Sequence, residues 1–142
     1  MTRRGFSVLE LLLATLLFTF VFSASISFFR SLTLQMGVGR AVNTVTSALR
    51  CARFEAVAAG VSIKVEVTER RVQLYKRLPE AWLPWRQWEL PGNARAQANA
   101  KPVFTAIGSV SPLCTILVTV ADRYLRKISI ALTGRVKIVS VN

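Results

Sequence analysis

The sequence contains no histidine and only two cysteines, Cys51 and Cys114. Without histidine, the Ser–His–Asp and Cys–His arrangements of nucleophilic catalysis are excluded. The two thiols match no metal-binding spacing, and zinc sites are built mainly from clustered cysteine and histidine. We therefore expect neither a metal nor a cofactor.

Carboxylates are also scarce, with 7 acidic residues against 19 basic ones. Those beyond the first 60 residues are scattered over predicted strand surfaces and turns, at Glu66, Glu69, Glu80, Glu89 and Asp122. This distribution does not resemble the paired acid and base of a hydrolytic site. The sequence predicts that the chain is not an enzyme and has no small-molecule substrate.

The net charge of +12 leaves a strongly basic surface, with 13 basic and 5 acidic residues from Gly60 onward. Such a surface attracts polyanions such as DNA, RNA or anionic lipid. It is equally compatible with a solvated face that has no specific partner. Composition alone leaves both interpretations open.

Glycine and proline are absent from residues 6–29, a run that carries a single charge, Glu10. The run exceeds the ~20 residues that a helix needs to cross a membrane. It is also longer than the apolar core of a secretory signal, roughly 7–15 residues. Residues 6–30 are therefore predicted to form a retained transmembrane helix. Because Arg3 and Arg4 precede it, its N-terminal end is expected in the cytoplasm.

The helix is predicted to continue through 31–59, where proline is again absent. Apolar residues at three- and four-residue spacing form one stripe, which makes this half amphipathic: Ala41, Val45, Ala48, Leu49, Ala52 and Ala56. Gly60 is well placed to end the helix.

Residues 60–142 are predicted to form a β-rich domain. Val61, Ile63, Val65 and Val67 alternate with polar residues, a pattern typical of a half-buried strand. A partner strand is expected across a tight turn near Glu69 and Arg70, and three more strands near the C-terminus. Residues 79–102 hold four of the five prolines and are predicted to be irregular, with one short strand. The fold class is α+β, a long N-terminal helix packed on an antiparallel β-sheet.

The segment "RRGFSVLELLLATLLFTF" resembles the class III leader of type IV pilins and type II secretion pseudopilins. The resemblance lies in a basic leader, a Gly–Phe junction, a Glu five residues into the mature chain and an uninterrupted apolar run. It implies that residues 1–5 are removed by a prepilin peptidase, which cuts between Gly5 and Phe6 and methylates Phe6.

The remainder resembles the GspH/FimT group, the H-type pseudopilins and related minor pilins. The matching residues are Ala52, Arg53, Glu55 and Ala56 before an alternating strand, and Gly134 with Arg135 near the C-terminus. The resemblance implies a type IV pilin-like fold and a structural subunit of a type II secretion pseudopilus or type IV pilus, at or near the fibre tip. Other pseudopilins or minor pilins are the implied partners, and the implied location is the bacterial inner membrane with the C-terminal domain in the periplasm.

In this family Glu10 is expected to pair with the positive N-terminal amine of a neighbouring subunit. An ionised group within a membrane segment costs roughly 2.5–3.5 kcal/mol on insertion scales, so its presence indicates a function. The resemblance therefore makes Glu10 the candidate residue for subunit assembly. The alternative is that Glu10 lies at the membrane interface, where it is hydrated or protonated.

A second function fits the same resemblance, because some related minor pilins bind DNA for uptake. Five basic residues near the C-terminus are the candidates for phosphate contacts: Arg123, Arg126, Lys127, Arg135 and Lys137. The alternative is that Arg135 closes the sheet and the other charges keep an exposed edge soluble.

Two other groups of residues are left open. Trp82, Trp85 and Trp88 either stack on single-stranded bases or, more often for such residues, cover a core or an interface. Cys51 and Cys114 either form a disulfide, which an extracytoplasmic location permits, or remain two free thiols.

Overall fold

A computed structural model of the chain describes residues 8–121 and 124–140. It begins with one helix, α1, which runs over 52 residues from Val8 to Ala59. The helix ends at Gly60, whose φ of 65° lies in the left-handed region that glycine adopts without a steric penalty. The Val61 amide donates to the Ala56 carbonyl (3.2 Å) and closes the last turn.

The chain divides into two compact units between Thr33 and Leu34. The described part of the first unit is helical throughout. The second unit contains the rest of α1 and all nine strands.

The first sheet, sheet A, has five antiparallel strands in the order β3-β2-β1-β5-β6. Its strands are β1 (Ile63–Thr68), β2 (Arg71–Arg77), β3 (Trp82–Glu89), β5 (Val103–Phe104) and β6 (Val110–Ser111). The predicted hairpin is confirmed, because β1 and β2 pair around Glu69 and Arg70 with Thr68 opposite Arg71.

The second sheet, sheet B, has four antiparallel strands in the order β4-β7-β8-β9. Its strands are β4 (Ala94–Ala98), β7 (Cys114–Val120), β8 (Tyr124–Ile130) and β9 (Val136–Ser140). Two backbone hydrogen bonds close the β8–β9 turn. The Gly134 amide donates to the Ala131 carbonyl (2.8 Å), and the Ala131 amide donates to the Arg135 carbonyl (2.9 Å). Gly134 has a φ of 74°, which explains a glycine at this point of the turn.

One core cluster joins the second half of α1 to both sheets. The predicted stripe is fully buried, with Ala41, Val45, Ala48, Leu49, Ala52 and Ala56 all at 0% exposure. Its small alanines let the helix approach the sheets closely, and larger side chains from the strands fill the remaining space. The largest of these include Phe104, Ile63, Leu74, Ile116 and Ile128.

The predicted fold class is confirmed, since a long N-terminal helix packs on antiparallel strands, although the strands divide between two sheets. The region 79–102 differs most from expectation. It contains the eight-residue strand β3, which pairs with β2, and the five-residue strand β4, which pairs with β7. β4 reads "ARAQA", which has little intrinsic β-propensity; pairing with β7 and burial of Ala94 and Ala96 make it a strand.

Candidate assembly helix and basic surface

The first half of α1 exposes an apolar surface of unusual extent. Residues Val8–Ile26 are long and apolar enough to span a membrane, and none of this stretch is buried. Every large aliphatic or aromatic side chain from Val8 to Phe29 is more than half exposed. A soluble monomer rarely leaves such a surface uncovered, and a single apolar helix of this length fits a membrane anchor.

Three hydroxyl groups in this segment are satisfied within the helix. Thr15, Thr19 and Ser25 donate to the carbonyls of Leu12, Leu16 and Val21 at 2.8–2.9 Å. Such bonds remove the need for water around a polar group in an apolar environment.

Glu10 differs from these hydroxyls. It lies in the first described turn of α1 with an exposed side chain, and no ion pair or side-chain hydrogen bond joins it to residues 8–121 or 124–140. Its position leaves the carboxylate accessible to another molecule. Gly5 and Phe6, the predicted cleavage site, lie outside the described residues.

The predicted basic residues separate on the β8–β9 hairpin. Lys127 faces Val139 and Ser129 faces Lys137, so the two lysines project from the same outer face of neighbouring strands. Arg126 alternates with them and projects from the opposite face, while Arg135 lies in the turn just before β9. Arg123 falls outside the described residues. Among the four described residues, the structure brings Lys127 and Lys137 together on one face.

A basic residue that the sequence argument missed joins this outer face. Ala94 and Ala96 of β4 are buried, so Arg95 between them points outward, and it is exposed. The small–polar alternation of "ARAQA" was the available signal. No Asp or Glu occurs in any of the four strands of sheet B, so the outer cations have no acidic neighbour on their own sheet.

The three tryptophans lie on the edge strand β3 and are all half-buried. Lys64 lies over the Trp82 ring (4.9 Å) and Arg86 over the Trp85 ring (4.7 Å), while Trp85 and Trp88 pack against the core. These cation–π contacts and core contacts occupy ring surface that base stacking would require. The geometry favours a covering role for the tryptophans over a nucleobase platform.

Both cysteines are free thiols, so the disulfide considered from the sequence is not formed. Cys51 lies on the flank of α1 that faces β3, where Arg86 Nη1 donates to its Sγ (3.7 Å). Cys114 begins β7 and donates to the Ala100 carbonyl (3.2 Å), and burial raises its pKa. The helix therefore presents Cys51 to sheet A, while Cys114 belongs to sheet B. Among the described residues, no group of His, Cys, Asp and Glu is arranged to hold a metal ion.

Two carboxylates of the domain are engaged by lysines. Glu55 on α1 accepts from Lys76 on β2 (3.5 Å), and Glu66 on β1 is paired with Lys101. The hydrogen bond from Lys101 lowers the pKa of Glu66, and the Tyr75 hydroxyl contributes in the same direction. These pairs link elements of the domain and do not form a pair of carboxylates suited to acid–base catalysis.

No protein-family model and no curated protein matches the chain. Solved structures do. The minor pseudopilin EpsH from the type 2 secretion system of Vibrio cholerae superposes with a TM-score of 0.59 at 13% identity, covering 71% of this chain and 97% of EpsH. The type IV minor pilin FimU of Pseudomonas aeruginosa superposes with a TM-score of 0.59 at 20% identity, covering 78% of this chain and 91% of FimU.

These likenesses establish the fold. The chain has the type IV pilin-like fold that minor pseudopilins and minor pilins share. At such low identity the match concerns architecture alone, and function must be inferred from the residues.

Proposed function

We propose that this chain is a minor pilin or pseudopilin, a structural subunit of a type II secretion pseudopilus or a type IV pilus, positioned at or near the fibre tip. The observation that carries the proposal is the exposed apolar half of α1 on a chain whose core is formed by the second half of α1 and the two sheets. Such a helix is suited to lie first in the membrane and then among the helices of a fibre. The shared fold with EpsH and FimU supports the same reading.

In this proposal a prepilin peptidase removes residues 1–5 and exposes the amine of Phe6. The amine of one subunit then meets the Glu10 carboxylate of a neighbour inside the fibre core. Removing one partner of a buried ion pair costs about 3–5 kcal/mol, because the remaining charge is left unmatched. The pair therefore favours the register in which each new subunit is added.

The proposal is tested by the incorporation of Glu10→Ala into fibres, measured by immunoblotting of sheared or purified filaments. We expect incorporation to be lost while membrane insertion of the unassembled subunit is retained. Glu55→Ala is the matched control, since it removes a carboxylate that pairs within the domain. Normal incorporation of Glu10→Ala would rule out the charge-pairing account.

Leader cleavage and the orientation of the chain in the membrane are tested on the mature protein. We expect the chain isolated from cells with an active prepilin peptidase to begin at a methylated Phe6, as determined by mass spectrometry. The β-domain is expected in the periplasm, where protease added to spheroplasts cleaves it. A mature chain that begins elsewhere, or a protected β-domain, would contradict this part of the proposal.

A second candidate function is DNA binding by a minor pilin used in uptake. The observation that favours it is the outer face of sheet B, which carries Arg95, Lys127 and Lys137 without an acidic residue in its strands. Phosphate contacts by these cations would be independent of sequence and would weaken steeply with salt.

DNA binding is tested on the full chain in detergent micelles, across a salt series, with a duplex oligonucleotide. We expect the variant Arg95→Gln/Lys127→Gln/Lys137→Gln to lose binding if this function holds. Lys76→Gln with Lys101→Gln provides a control away from sheet B, since Lys76 lies on β2 and Lys101 between β4 and β5. No binding by the unaltered chain at ~0.15 M salt, near physiological screening, would leave only the structural subunit.

A further inference from the structure

Three of the four sheet edges are protected against pairing with another strand. The edge strand β3 contains Pro84, which has no amide hydrogen, and its register shifts opposite Leu74 and Tyr75. β6 is two residues long, and its Val110 amide donates to the Leu132 carbonyl (2.9 Å). On β4, the Ala96 amide donates to the Glu69 carbonyl (2.9 Å), so the β1–β2 turn covers that edge.

The fourth edge, β9, has none of these features. Its five residues contain no proline, and its register with β8 is regular from Val136 to Ser140. Within residues 8–121 and 124–140, no backbone hydrogen bond joins β9 to any element other than β8. One side of β9 therefore presents main-chain groups that can pair with an added strand.

A largely apolar groove adjoins β9 at the β8–β9 turn and extends onto β8 and Leu113. It has a volume of about 720 Å³, and we call it the β9 groove. Its apolar lining includes Leu113, Leu132 and Ile138, which are 59%, 63% and 48% exposed, together with Val136. Large aliphatic side chains gathered at one place on a domain surface mark a contact site for another molecule.

The charges beside the groove are of one sign. Arg135 and Lys137 line it, and no carboxylate from the described part of the chain does. Both side chains are exposed, and neither forms an ion pair with a described residue. A partner with aliphatic and acidic side chains would complement the groove in both shape and charge.

We propose that β9 and the β9 groove bind an extended segment of another protein, in which aliphatic residues alternate with acidic ones. The segment adds a strand to sheet B beside β9. Its aliphatic side chains then contact Leu132 and Ile138, and its carboxylates meet Arg135 and Lys137. Main-chain pairing supplies affinity in this mode, while the pockets for alternate side chains supply specificity.

Two other roles for Arg135, Lys137 and the apolar lining would require different features. Lys137 alone would blunt the edge against aggregation, but that role requires neither the exposed leucines nor a groove. Nucleic acid would use Arg135 and Lys137 through its phosphates, but it would leave the apolar lining and the free main-chain groups without partners. The combination of edge, apolar lining and cations is accounted for by an acidic, extended polypeptide.

The test measures binding of short fluorescent peptides to the full chain in detergent micelles. The first peptide alternates valine with glutamate, the second alternates valine with lysine, and the third is the glutamate peptide with its alternate amides N-methylated. We expect the glutamate peptide to bind on the order of tenfold more tightly than the lysine peptide. The reason is that the peptide's two exposed charge pairs with Arg135 and Lys137 are attractive with glutamate and repulsive with lysine. The N-methylated peptide should not bind, because it cannot pair with β9.

Charge reversal separates a specific site from general attraction to a basic protein. Arg135→Glu/Lys137→Glu should invert the preference toward the lysine peptide, a gain that a misfolded variant would not show. Arg95→Glu/Lys127→Glu has the same change in net charge away from the groove and should retain the original preference. The inference is overturned if both double variants invert alike, if N-methylation has no effect, or if a DNA duplex binds the groove and neither peptide does. The test involves no fibre, so its failure leaves the proposed assembly of α1 unaffected.

Discussion

The two halves of α1 have the same backbone conformation and opposite surroundings. From Val8 to Phe29, large leucine and phenylalanine side chains remain more than half exposed. From Val38 to Ala56, smaller side chains are buried against strands of the same chain. The difference shows that a segment of α1 is helical whether or not its side chains are buried.

The second half obtains its burial within the molecule, whereas the first half must obtain it from outside. The core cluster is composed entirely of residues from Val38 to Ile130. No side chain of the first half contributes to it. A chain built this way has the core of its domain in place without a contribution from the described side chains of the apolar half.

The largest expected effect comes from removing the first half. A chain that starts at Leu34 should be soluble without detergent and should unfold at the same urea concentration as the full chain in micelles. The full chain should partition into membranes. Cell fractionation and urea titration followed by tryptophan fluorescence measure both properties. If the shortened chain is unfolded or aggregates, the comparison fails, because the domain would need the apolar half to complete its core.

A core substitution sharpens the same contrast. Leu49→Ala removes a fully buried side chain of the second half and should lower the free energy of unfolding by about 2–5 kcal/mol. Leu13→Ala removes the same atoms from the first half, where the side chain is 61% exposed. That control should stay within about 0.5 kcal/mol. Equal losses in the two variants would show that the halves are not energetically distinct.

Much of this contrast could be predicted from the sequence. The run of 6–29 without Gly or Pro predicts a helix with no polar face, and the stripe from Ala41 to Ala56 predicts a helix with one buried face. The alternation in β1, β2 and β7 similarly predicts half-buried strands. These elements share a strong local period, so their pattern is visible without knowledge of their partners.

The remaining features depend on distant partners. β5 and β6 are two residues each and exist because β1 pairs with β5 and β5 with β6. The outward position of Arg95 follows from the burial of Ala94 and Ala96 beneath it, and the separation of Arg126 from Lys127 follows from the β8–β9 register. No local composition encodes these placements, so the sequence does not show which of the basic residues share a face.

A glycine substitution at position 134 tests how closely the β8–β9 turn packs against the second half of α1. A Cβ at Gly134 would lie 2.5 Å from the Gly108 carbonyl oxygen and 3.0 Å from Arg53 Nε, and Gly134 also has a φ of 74°. Gly134→Ala should therefore displace the β8–β9 turn from α1 and destabilise the domain by about 1–3 kcal/mol.

The matched change is Gly39→Ala, at a helical position where a Cβ would meet nothing within 4 Å. It should stabilise the domain by about 0.5–1 kcal/mol, because alanine loses less backbone entropy than glycine in a helix. Urea unfolding of the full chain in micelles measures both variants. The same sign for both would refute the steric account of Gly134.

The smallest expected effect is a pH dependence of the unfolding free energy, which arises in the domain and not in the apolar half of α1. Because Lys101 holds the pKa of Glu66 below its ordinary value of 4.5, the folded chain binds this proton less readily than the unfolded chain. The stabilisation from Glu66 is therefore complete above pH 4.5 and is lost as the pH falls through the lowered value. Solvent screens this partly exposed pair, so its share of the stability is small.

Glu66→Gln should flatten the decline in urea-unfolding stability below pH 4.5 and leave the helix content of the apolar half unchanged. Glu80→Gln is the control, an exposed carboxylate in the β2–β3 turn that pairs with no described residue. Its decline should match that of the unaltered chain. If Glu66→Gln declines as steeply as the unaltered chain, the Lys101 pair does not contribute to folding.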